Sequence, residues 1–148
     1  MFSPGRPLFC IVDADVRWID TAATSIRCTE LNLARAFADG AKMAAILSAL
    51  RTEASRVTAL NLRSNSFRNA GTVKALASLL AADTKLVDLQ MPHTALGDGG
   101  TLAIAEALAK NVDSRVATLN LFNNGITCRG AEGELCCSEL WILGGRSL

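Results

Sequence analysis

The sequence predicts an α/β chain built as a right-handed βα superhelix, with about four strand–helix units stacked side by side. Three observations predict it. A leucine-spaced pattern returns at steps of 29 and 30 residues, from Val57 to Leu86 and on to Val116. Each copy carries a short apolar–polar–apolar core with the period of a strand. Each core is followed by a stretch whose apolar residues fall at helical spacing.

The copies align residue by residue. One reads Val57, Leu60, Leu62, Asn65, Phe67, Gly71; the next Leu86, Leu89, Met91, Thr94, Leu96, Gly100; the next Val116, Leu119, Leu121, Asn124, Ile126, Gly130. An earlier copy is degraded: Cys28, Leu31, Leu33, Ala36, Ala38, with Lys42 at the glycine position and Phe37 and Gly40 nearby. The shared form is L-x-x-L-x-L-x-x-N-x-L-x-x-x-G. On these residues, and most clearly in VTALNLRSNSFRNAGTVKALASLLAAD and VATLNLFNNGITCRGAEGEL, the chain resembles the ribonuclease-inhibitor-like leucine-rich repeats. The same repeat type occurs in NOD-like receptors, tropomodulins and Ran GTPase-activating proteins. The resemblance covers residues 26–135. It implies a solenoid with short parallel strands on the concave face and helices on the convex face.

The elements follow in order. Residues 1–25 form a loose segment and cap, in which 8–19 read as two short strands around the Asp13-x-Asp15 turn. The acidic pair has no further ligands beside it and reads as a solvated turn rather than a metal site. Repeat units are expected at about 28–56, 57–85, 86–115 and 116–135. In each, alternation turns the leucines inward, as at Leu60 and Leu62, and turns Asn61 and Arg63 outward. Asn65 and Asn124 are placed to bond turn backbone with their amides. Glycine at 71, 100 and 130 allows close approach or an unusual backbone angle at the helix entry. Helices are expected over 42–51 (buried stripe Met43, Ile46, Leu47, Leu50), 72–81 (Val73, Leu76, Leu79, Leu80) and 101–110 (Leu102, Ala105, Leu108). The fourth helix is degraded, with Glu132 and Ser138 in apolar phase. Residues 136–148 are a C-terminal cap or divergent tail, with Trp141 folded back over the last core layer or left as an exposed patch.

Composition excludes several classes. Half the residues are apolar, and 15 basic side chains face 14 acidic ones, so no charge excess points to nucleic acid or membrane. Tyrosine is absent. The five cysteines (Cys10, Cys28, Cys128, Cys136, Cys137) are odd in number and lack C-x-x-C spacing, which reads as free thiols in a reducing compartment. No secretory leader is read in the apolar Leu8–Val12 stretch. The expected location is cytoplasmic, with the nucleus also compatible.

No catalytic constellation emerges, and no metal or cofactor is expected. His93 is the only histidine, and neither a G-x-S-x-G elbow nor a phosphate-binding G-x-x-x-x-G-K-[ST] loop occurs. Gly97-Asp98-Gly99-Gly100 reads as the strand-to-helix turn, with Asp98 helping to start the helix. Under the resemblance, outward residues form columns: Glu30, Ala59, Asp88, Thr118; Asn32, Asn61, Gln90, Asn120; Ala34, Arg63, Pro92, Phe122; and Arg35, Ser64, His93, Asn123. The amide column also fits a structural role, amides bonding one another along the ladder. Candidate partner-contact residues are Arg35, Arg63, Ser64, Asp88, Gln90, His93, Asn120, Phe122 and Asn123. The expected function is a non-catalytic module binding a protein partner through the concave face. Alternatives are a subunit stimulating a small GTPase through Arg35 or Arg63, and a cytoskeletal or assembly subunit, with end-on self-association through the tail.

Overall fold

The apolar–polar alternation of the repeat gives short strands, each three residues long. The computed structural model describes residues 9–11, 29–36, 40–51, 56–127 and 141–143. Among them the strands are β1 (Phe9–Ile11), β2 (Glu30–Asn32), β3 (Ala59–Asn61), β4 (Asp88–Gln90), β5 (Thr118–Asn120) and β6 (Trp141–Leu143). They form one sheet in chain order. β1 to β5 are parallel, and β6 runs antiparallel along β5. Register aligns Leu31, Leu60, Leu89 and Leu119 as one buried row.

Parallel neighbours need a crossover, and helices supply it. These are α1 (Gly40–Leu50), α2 (Ala70–Ala82) and α3 (Gly97–Lys110). The result is an α/β arrangement of successive strand–helix units, each beside its chain neighbour. The inner sheet face and the helices share one core, in which Leu33, Leu47, Leu62, Leu76 and Leu89 are fully buried. Burying one such side chain contributes roughly 1.5–3 kcal/mol. Among the described residues no helix is long and apolar enough to cross a membrane.

Side chains tie one unit to the next. Asn65 is buried, and its Nδ2 donates to the carbonyls of Leu33 and Leu62 at 2.8 Å each. Asn124 repeats this with Met91 (2.7 Å) and Leu121 (3.0 Å). Its Oδ1 accepts from the Thr94 hydroxyl at 2.6 Å and from the Thr94 and Leu96 amides at 3.0 and 3.2 Å. The hydroxyl of Thr94, in the asparagine place, also lies 3.2 Å from the Met91 carbonyl. Asn111 joins the helix ends, donating to the Leu80 and Asp83 carbonyls at 2.7 Å each.

α1 buries the expected Met43, Ile46, Leu47 and Leu50. α2 buries Leu76, Leu79 and Leu80, with Thr72 taking the inward place expected of Val73. Thr72 donates its hydroxyl to the Gly40 carbonyl at 3.0 Å, and a Cβ on Gly40 would lie 2.8 Å from that hydroxyl. Glycine there lets the first unit approach the second. α3 departs from expectation. Leu102 is 57% exposed and Ala105 is exposed, while Gly100, Thr101, Ile104 and Ala107 face inward. α3 starts at Gly97, two residues before the place one 29-residue step from Ala70 would give, and is entered through positive φ at Ala95 (54°) and Gly97 (68°). At the entry the inward place is the same in both helices, Thr101 lying one 29-residue step from Thr72, and Leu102, like Val73, falls beside it. A Cβ on Gly100 would fall 2.6 Å from Leu96, so this glycine serves close approach.

At the first strand, β1 extends the parallel ladder, pairing Cys10 with Leu31. Asp13, Asp15, Val16–Ile19 and Phe37 lie outside the described residues, as do Gly130, Glu132, Ser138 and the other four cysteines. The backbone of Trp141–Leu143 lies folded back on β5, Trp141 opposite Asn120.

Candidate functional site

The outer sheet face and the turn that follows each strand carry the candidate residues. The turns are built alike. Asn32, Asn61 and Asn120 each accept at Oδ1, 3.0 Å, from the amide two residues on, at Ala34, Arg63 and Phe122. The asparagines of this column are thus spent largely on closing their own turns. One amide pair bonds between strands: Asn120 Nδ2 donates to Gln90 Oε1 at 2.9 Å. Gln90 Nε2 in turn donates to Asp88 at 2.6 Å. Asp88, Gln90 and Asn120 therefore form one half-buried chain of polar contacts over β4 and β5.

The next position is a second constant. Arg35, Ser64, His93 and Asn123 all adopt left-handed backbone, with φ of 58°, 58°, 59° and 54°. Asparagine and histidine tolerate this conformation better than most residues with a Cβ. Successive turns are bonded through their backbones: Arg35 N to Arg63 O, Ser64 N to Pro92 O and His93 N to Phe122 O, at 2.9–3.0 Å. The turns thus form an edge with the rung spacing of the sheet.

The structure brings His93, Phe122 and Asn123 together. Asn123 Nδ2 lies 2.7 Å from His93 Nδ1. The amide nitrogen is a donor, so His93 Nδ1 is the acceptor in this contact. The Phe122 ring meets His93 edge to face, centroids 5.5 Å apart at 82°. Phe122 is 37% exposed. Arg35, Arg63 and Ser64 stand apart from this cluster, over β2 and β3. The Arg35 and Arg63 side chains are exposed and make no ion pair or hydrogen bond among the described residues. Pro92, in line with Arg63 and Phe122, is buried and offers no contact surface.

Sequence reasoning passed over Arg68. It is exposed, and lines a shallow depression with His93, Ala95, Asn123 and Gly125. It sits between buried Phe67 and the Asn69 cap of α2, outside every outward column. The only signal in the sequence is a charged residue in the entry turn. Gly97–Gly100 form the first turn of α3, and the Asp98 carboxylate there accepts from the Thr127 amide at 2.6 Å. That acid both favours the helix start and clasps the following turn.

A wider groove lies on the helical side between α2 and α3, about 580 Å³, floored by Val73, Ala77, Ala103 and Ala107. The chain matches no protein-family model, and a search of curated proteins returns no match.

Proposed function

We propose that this chain is a leucine-rich-repeat solenoid of the ribonuclease-inhibitor-like type that works without catalysis, binding a protein partner on the outer, concave side of its sheet. One observation carries the reading. Units in constant register present the His93, Phe122 and Asn123 cluster, with Phe122 part-exposed, and Arg63 after β3, on one backbone-bonded edge. Rigid aromatic and arginine groups on such a surface are the types that dominate protein interfaces. The amide and carboxylate chain Asp88–Gln90–Asn120 holds the floor in place beneath them. The four rungs β2 to β5 span about 14 Å between their outer strands at ~4.8 Å spacing, suited to a contact at or below the usual ~800 Å² per partner. A site of this size and polarity favours recognition over chemistry.

The test compares wild type with an Arg63→Glu, Phe122→Ala double variant in affinity capture, after both are shown to unfold cooperatively. A partner held by wild type and lost by the variant supports the outer face. Equal retention moves the working surface to the helices and overturns the residue assignment.

A further inference from the structure

The charges carried by the strands and by the turns that follow them are sorted by position along each repeat. The acids Glu30 and Asp88 stand at the strand starts. Beyond the strand ends, the described turn residues 33–36, 62–69, 91–96 and 121–127 contain Arg35, Arg63, Arg68 and His93 and no acid. All four are exposed. The arginine side chains have no hydrogen-bond or ion-pair partner among the described residues. His93 is held by Asn123 at Nδ1, which leaves Nε2 of this exposed ring for a partner. Strand starts and turns are separated by roughly 10 Å or more, about one Debye length, so the acidic row does not neutralise the basic edge.

We propose that this turn edge recognises an acidic, extended peptide segment of the protein partner, its carboxylates reaching Arg35, Arg63, Arg68 and His93. The inference rests on the outer-face reading and names the chemistry of its partner. The edge from the Arg35 turn to the Asn123 turn runs about 14 Å at the strand spacing, the length of four or five extended residues at ~3.3 Å each. Guanidinium groups exposed at such an edge suit carboxylates, which they bind through paired N–H donors. A single-stranded nucleic acid is the weaker fit. Its binding needs stacking platforms along the groove. The described residues of this edge hold one exposed aromatic, Phe122.

The test is fluorescence anisotropy with a labelled peptide of alternating Asp and Glu, a Lys-substituted version of it, and an oligothymidylate of matched charge. The expected result is binding of the acidic peptide over the basic one, weakened by added salt. Arg35→Gln and Arg68→Gln should each reduce it about two- to five-fold, the scale of an exposed ion pair. Both residues are exposed and have no side-chain partner among the described residues, so circular dichroism should match wild type. Amide shifts on titration should localise to 34–35, 63–64, 68, 93 and 123. Equal affinity for acidic and basic peptides, indifference to both arginine variants, or tighter binding of the oligonucleotide overturns the proposal. If the capture experiment succeeds on the outer face while the peptides are not distinguished, only the acidic preference falls. Discrimination between peptides with full partner retention by the double variant sinks the outer-face reading alone.

Discussion

Asn124 donates to the Met91 and Leu121 carbonyls and accepts from Thr94 and Leu96, all in a buried setting. Replacing it with alanine strands these groups without water. Asn124→Ala is expected to lower unfolding free energy by about 3 kcal/mol or more, measured by urea denaturation. A loss below 1 kcal/mol would mean the amide does not clamp the two turns. Ala95 poses the opposite case. It is exposed, with φ of 54°, where a Cβ costs roughly 1–2 kcal/mol. Ala95→Gly should raise stability by about 0.5–1 kcal/mol in the same assay, after the extra chain entropy of glycine is subtracted. The turn asparagines were legible because their spacing is fixed in the repeat. The left-handed backbone at Arg35 and Ser64 was not, because neither residue type announces it.

α1 and α3 separate what periodicity reveals from what it hides. The stripe of α1 is evident because Met43, Ile46, Leu47 and Leu50 are the large apolar residues at consistent spacing. In α3, apolar residues stand on several faces. Leu102 looks like core by a step of 29 from Val73, but the inward place in both helices belongs to the residue before, Thr72 and Thr101, and Leu102 faces solvent. Two substitutions distinguish the faces by thermal unfolding. Ile104→Ala should cost about 2–5 kcal/mol, and Leu102→Ala should stay within about 0.5 kcal/mol. The reverse order would restore the face read from the sequence. The candidate site divides the same way. Strand alternation located Asp88, Gln90, Asn120 and Phe122, whereas Arg68 enters through the folding of an irregular turn that no period describes.

Across the whole molecule, each unit leans on its chain neighbours, so protection from solvent is greatest where a rung has one on both sides. The amides of Leu62 and Met91, bonded to the Gln90 and Asn120 carbonyls, lie in such rungs. In native-state hydrogen exchange they should be slower than the amides of β1 at the end of the ladder. Equal rates throughout would indicate a single all-or-none unit. The strand–helix alternation and register were legible because one spacing governs them all. The membership of β1 in the ladder was not, since the spacing before β2 breaks that rule. At the opposite end, β6 reverses direction against β5. A stack of like-directed rungs is open-ended, since whatever rule adds one rung adds the next, and a foreign strand end obeys it as well. A reversed strand breaks that translational rule. A further rung running in the direction of β1 to β5 would meet β6 antiparallel, so the strand–helix step that joins β4 to β5 is not the step that would join it.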